Sequence, residues 1–184
     1  MIFTTPTQTI IKRSGTRMTA LKKATAVLLS TILLCAIFTA CGDDAEEISM
    51  YDLNQALVGF TGDPENMKYA SSSDSDPEDL LSHVSDIDYG KVKAFFITYA
   101  ADGTENADEI VAIQVKKKSD LSEAALSLKK HLETRKTLYA AYEKSQLPKL
   151  EKAKVFTRGN LAILMVADDS DRMEAAFYNF FKSK

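Results

Sequence analysis

Apolar residues beyond position 48 recur with two different periods, and the order of those periods predicts the fold. Met50, Leu53 and Leu57 share one face of a helix that Ser49 opens, with Asp52 three residues on as in a capping box. Gly59, Gly62 and Pro64 end that helix. Residues 59–79 read as a polar, flexible loop, in which Met67-Lys68-Tyr69-Ala70 has the pattern of an edge strand. Asp76 caps a short helix from Pro77 to Val84, with Glu78 and Asp79 at its positive end. Val92 to Ala100 is the clearest strand; it is apolar on both faces and therefore interior to a sheet. Asp102-Gly103 starts a turn into a second strand, Glu109 to Lys116. Asp120 opens the longest helix, which runs to about Lys144. Its stripe is Leu121, Ala125, Leu128, Leu132, Tyr139 and Tyr142, with Arg135 in the gap. Pro148 stops that helix. Lys154 to Thr157 and Leu161 to Ala167 form a hairpin across Arg158-Gly159-Asn160, and the second of these strands is again apolar on both faces. Asp169 or Ser170 caps a last helix, whose Met173, Phe177 and Phe180 or Phe181 face the sheet. The expected fold is α+β: one antiparallel sheet of about four strands from two strand-strand-helix units. Both long helices pack on one face, and a short helix precedes the units.

Ahead of this domain the pattern changes. Ala24 to Ala40 is an uncharged, largely apolar run of 17 residues, preceded by Lys22 and Lys23 and closed by Cys41. A positive end, an apolar core and small residues before a boundary are the three parts of an export signal. Phe38-Thr39-Ala40-Cys41 resembles a bacterial lipobox, with Phe38 where Leu is usual. The resemblance implies that the Cys41 thiol receives a diacylglyceryl group and becomes the first residue after cleavage. The other reading is an uncleaved anchor. Two acyl chains suffice for stable attachment, whereas one is marginal. Residues 1–17 do not fit the signal design, and a start at Met18 gives a compact one; the alternative is a long positive end. The expected organisation is a signal peptide over 1–41, an acidic tether over 42–48 and one globular domain over 49–184.

The whole chain carries a formal charge of −3, but its five basic residues before position 42 belong to the signal. What remains has 18 Lys and Arg against 26 Asp and Glu, a net of −8. That balance argues against nucleic acid as a partner, which would need a basic footprint. Charge is also uneven, at −12 over 42–90 and +4 over 91–184. The two cysteines are Cys35, within the signal, and Cys41, so the domain has no disulfide and no thiol-based metal site.

Candidate chemistry is sparse. His83 and His131 are far apart in sequence, lack a partner pattern and read as surface or helix-face residues. No nucleophile elbow, phosphate-cradling glycine loop or His-Glu-x-x-His is present. Asp74, Asp76 and Asp79 suggest calcium, but Pro77 breaks the spacing of a calcium loop, so a solvated loop and helix cap explain them. Asp168, Asp169 and Asp171 are explained by a helix start. No metal or cofactor is expected. Arg135 stands out, since a charge in an apolar stripe either snorkels to the edge, pairs with a buried carboxylate such as Glu109 or Asp108, or meets a ligand.

Ala107-Asp108-Glu109-Ile110 entering a strand, the long helix with Arg135, and Gly159-Asn160-Leu161-Ala162-Ile163-Leu164 entering the last strand carry a resemblance. Over roughly residues 50–181 the chain resembles a family of uncharacterised lipoproteins from Gram-positive, mostly anaerobic bacteria, defined by a domain of unknown function. The resemblance implies a cell-surface lipoprotein with a small α+β domain, and no activity. The functional expectation is a non-enzymatic domain, lipid-anchored through Cys41 on the extracytoplasmic face of the cell membrane, that contacts another envelope protein. The alternative is a small-molecule or peptide binder serving transport or sensing, with Arg135 and Glu109 as ligand contacts or as a buried ion pair.

Overall fold

Successive side chains of a strand point to opposite faces of its sheet, so a strand that is apolar at every position needs cover on both sides. The computed structural model, which describes residues 47–182, meets that need with one five-stranded antiparallel sheet between two sets of helices. The strands are β1 (Met67–Ser71), β2 (Val92–Ala100), β3 (Glu109–Val115), β4 (Lys154–Arg158) and β5 (Leu161–Val166), in the spatial order β1-β2-β3-β5-β4. The helices are α1 (Met50–Val58), α2 (Pro77–Ser82), α3 (Leu121–Tyr142), α4 (Leu147–Glu151) and α5 (Ser170–Lys182). The signal segment, Cys41 and most of the acidic tether lie outside the described residues.

On the first face, Phe95, Ile97, Val111, Ile113, Ala162 and Leu164 pack beneath Ala124, Leu128 and Leu132 of α3, Leu150 of α4, and Leu81 of α2. On the second, Phe96, Ile110, Ala112, Leu161, Ile163 and Met165 meet Met50, Leu53 and Leu57 of α1 and Met173, Phe177 and Phe181 of α5. The expectation that both long helices share one face is therefore corrected: α3 and α5 lie on opposite faces. The physical reason is the run of apolar residues in β2, β3 and β5, which would leave one oily face in water if all helices gathered on the other. A buried hydrogen bond from Thr98 Oγ1 to Asn54 Oδ1 at 2.6 Å ties α1 to β2 on the second face.

The sheet has five strands where about four were expected, because β1 pairs along its whole length with β2, from Met67 opposite Ala100 to Ser71 opposite Phe96. The stretch 59–79, read as a loop, thus contains that edge strand. Asp74 closes the turn after it by accepting from Ser71 N at 2.6 Å, and Asp76 caps α2 by accepting from Asp79 N. Pro148 sits in the first turn of α4 rather than simply ending α3, a position where a missing N–H costs nothing. The β4–β5 hairpin turns at Gly159, whose φ of +61° is readily adopted by glycine. Asn160 then donates to Val115 O at 2.8 Å and fixes the hairpin to β3.

Candidate functional site

A five-stranded sheet is wider than one helix. On the first face α3 lies over β3, β5 and β4, while the short α2 sits against β1. Between them the surface of β2 is left as the floor of a cleft. The resulting cavity measures about 410 Å³, within the size range of small-molecule sites. Ile97, Tyr99 and Ala100 of β2 and Glu109 of β3 form its floor; Leu80, His83 and Val84 line one wall, and His131 and Arg135 of α3 the other.

Both ends of the cleft are tied. At one end the Ser85 and Ser127 hydroxyls bond to each other, Asp86 N donates to Ser127 Oγ at 3.2 Å, and Lys130 pairs with Asp86 at 2.6 Å. At the other end Tyr139 of α3 donates its hydroxyl to Gly103 O at 2.5 Å and holds the β2–β3 turn. These ties join α3 to the segment after α2 and to the β2–β3 turn, so the spacing of the walls is set by directed bonds as well as by packing.

The polar centre of the cleft is built on one carboxylate. Glu109, whose side chain is 7% exposed, points from β3 toward α3. Its Oε2 accepts from Arg135 Nη1 at 2.9 Å and from His131 Nε2 at 2.9 Å. Residues 131 and 135 are one helical turn apart, so both reach the same strand position. Arg135 also donates to Ala107 O at 3.1 Å and to the Tyr139 hydroxyl at 3.3 Å, which fixes the guanidinium plane. Burial works to raise the Glu109 pKa, but the Arg135 charge and the His131 hydrogen bond outweigh it and hold the carboxyl below its ordinary value.

The neighbouring residue starts a second polar node. Asp108 is fully buried and accepts from Gly62 N at 2.6 Å. A Cβ at Gly62 would come within 3.2 Å of that carboxylate, so a larger residue there would push the Asp108 side chain aside by a few tenths of an ångström. Lys149 Nζ lies 2.7 Å from Asp108 Oδ1, off the line of a directed hydrogen bond, and donates instead to Asn106 Oδ1 at 3.0 Å. The contact with Asp108 is therefore one of charge. Asn106 to Glu109 form a short segment held from both sides, and this segment positions Glu109.

The structure thus places Arg135 against Glu109, while Asp108, the other carboxylate considered for it, belongs to Lys149. It also brings His83 and His131 to one cavity although they are distant in sequence. Sequence reasoning missed His131 as the second partner of Glu109. The signal was present in the four-residue spacing of His131 and Arg135 on a helix facing a strand. Tyr142, read as part of the buried stripe, is 84% exposed; the inward positions are Ala124, Ser127, Leu128, Leu132 and Tyr139. Tyr142 instead lines a second cavity of about 570 Å³ with Leu138, Tyr139 and Arg135. Asp169 caps α5 by accepting from Arg172 N at 3.0 Å, and Asp171 pairs with Lys154. Among the described residues no three His, Cys, Asp or Glu side chains are grouped to hold a metal ion. No helix among them is long and apolar enough to cross a membrane.

Residues 66–167, more than half of the chain, match the family model described as a domain of unknown function, DUF4358. The match runs from β1 to the end of β5 and takes in every residue named above as lining the cleft, but excludes α1 and α5. It is narrower than the span of resemblance expected from sequence. No curated protein and no solved structure matches the chain.

Proposed function

The chain belongs to the family defined by this domain of unknown function, and from that premise we propose that it is a lipid-anchored, extracytoplasmic, non-enzymatic binding protein. The cleft between α2 and α3 takes a small molecule or a peptide end. The observation that carries this reading is the convergence of Glu109, His131 and Arg135 on a mostly apolar cavity whose ends are tied by hydrogen bonds. A few fixed polar groups in an apolar concavity are the usual composition of a ligand site. The anchor rests on the apolar run and the Cys41 boundary. A lipoprotein of a Gram-positive cell would hold this cleft outside the membrane, within reach of a transport or sensing partner.

A second reading, a domain that contacts another envelope protein, draws support from Leu138 and Tyr142, which are 51% and 84% exposed beside each other on α3. Hydrogen–deuterium exchange separates the two. The purified chain is compared with and without the small-molecule fraction of a cell extract. Protection at residues 80–84 and 131–135 supports the cleft. Absence of protection there, with protection at 138–143 when envelope proteins are added, supports the second reading and removes the first. For the anchor, intact mass and membrane fractionation are read beside Cys41→Ser. Loss of a diacylglyceryl mass in the variant supports lipidation; an uncleaved, membrane-bound N-terminus in both chains overturns it.

A further inference from the structure

The hydrogen bonds within the cleft are unevenly used, and the unused ones define a ligand. Glu109 directs Oε2 to both His131 and Arg135. No described residue donates to its Oε1, although the side chain is 93% buried and lines the cavity. That oxygen is open to the cavity, so a donor carried by a ligand can take the place of water there. Arg135 has five N–H groups. Three are directed at Ala107 O, Glu109 Oε2 and the Tyr139 hydroxyl. Nε–H and one Nη2–H have no acceptor among the described residues. Glu109 and Arg135 both line the cleft, one with a spare acceptor and the other with spare N–H donors, and their formal charges cancel. The rest of the lining is mostly apolar, with Ala70, Leu80, Val84, Ile97 and Ala100, and its other polar side chains are Tyr99, Asn106 and the imidazoles of His83 and His131; Glu109 and Arg135 are its only Asp, Glu, Lys or Arg residues. A carboxylate entering here would face Glu109, and an ammonium ion would face Arg135, each losing its water.

We propose that the cleft selects an uncharged, largely apolar molecule whose polar end both donates and accepts a hydrogen bond, an amide or an alcohol in preference to an acid or an amine. This rests on the ligand-binding reading above and deepens it. Donation goes to Glu109 Oε1, and acceptance comes from Arg135. The apolar remainder lies along Leu80, Val84 and Ile97.

The test uses four probes of one chain length: hexanamide, hexan-1-ol, hexanoate and hexylammonium. Each is titrated into the purified full chain at pH 7 while backbone amide resonances are followed. The expected result is movement of resonances from residues 80–84, 97–100 and 131–135 with the amide and the alcohol. Both bind at least about tenfold more tightly than either ion, which corresponds to about 1.4 kcal/mol. Equal or tighter binding of an ion at the same resonances overturns the ligand class and leaves the cleft reading standing. Movement of none of these resonances by any probe overturns the cleft reading and the proposal with it. Glu109→Gln leaves Arg135 without its counter-charge, so hexanoate should gain at least about tenfold on hexanamide; an unchanged order overturns the role given to Glu109. His83→Trp, at an exposed rim position whose side chain lines the cavity, keeps the location testable if that variant does not fold. It should weaken all binding, and unaltered affinities overturn the assignment to this cleft.

Discussion

Arg135→Met tests the centre of the site most directly. The guanidinium is 13% exposed and serves three acceptors: Glu109, Ala107 O and the Tyr139 hydroxyl. Met preserves much of the apolar stem and removes the charge. Glu109 is then left buried with His131 as its remaining partner, and removing one member of a buried pair typically costs about 3–5 kcal/mol. Glu109→Leu alone strands Arg135 and should cost a similar amount. The double variant, Glu109→Leu with Arg135→Met, replaces an ion pair by apolar groups of similar size. It should recover most of the loss and fall within about 1–2 kcal/mol of the natural chain, the residue being the stranded Ala107 carbonyl. Urea unfolding followed by far-ultraviolet circular dichroism reads all three, and the cycle isolates the coupling. The pH dependence supplies a second reading with a definite sign. In the natural chain the folded-state pKa of Glu109 is depressed. Its stabilising contribution is therefore complete above the unfolded carboxylate value of about 4.3 and is lost as pH falls through the folded value. In Arg135→Met burial dominates and the folded pKa rises above the unfolded one, so stability should increase as pH is lowered from 7 toward 5. A loss under about 1 kcal/mol in the single variant, with an unaltered pH profile, would refute the view that this pair organises the cleft.

Other expectations follow from the same geometry. Lys149→Met leaves the fully buried Asp108 without its cation and should cost about 3–5 kcal/mol, read by urea unfolding at pH 7. Tyr139→Phe removes the bond to Gly103 O and one acceptor of Arg135; a loss of about 1–2 kcal/mol should come with faster amide exchange in the β2–β3 turn. Gly159→Ala forces a side chain into positive φ and should lower stability by about 1–2 kcal/mol while leaving ligand affinity unaltered, since the hairpin lies away from the cleft residues.

Much of the scaffold was readable because its patterns are strong. The two-faced apolar runs of Val92–Ala100 and Leu161–Ala167, the Ser49 and Asp76 caps and the glycine of the last hairpin each act locally, and the structure has each where the pattern put it. The placement of α5 was not readable in the same way. Met173, Phe177 and Phe181 say that this helix buries a face, and nothing in their spacing says against which side of the sheet. Strand β1 does lie at the edge of the sheet, as Met67-Lys68-Tyr69-Ala70 suggested, but its pairing with β2 is a long-range fact that five polar-to-mixed residues do not encode. The site was half legible. Arg135 announced itself as a charge in an apolar stripe, and Glu109 was one of two neighbouring carboxylates offered to it. Which of the two it meets depends on strand parity, since Asp108 and Glu109 point to opposite sides. His131 and His83 converge through the packing of α2 beside α3, which no local pattern encodes.

The two-sided cover of the sheet has a consequence for where such a domain begins and ends. The family segment, 66–167, includes everything that shields the first face, but the helices that shield the second, α1 and α5, fall outside it. A chain cut at those limits would present Phe96, Ile110, Leu161, Ile163 and Met165 to water as one continuous surface. The boundary drawn by sequence similarity is thus narrower than the smallest body able to stay in solution. In this chain the flanking roof of α1 and α5, rather than the family segment, keeps that second face out of water.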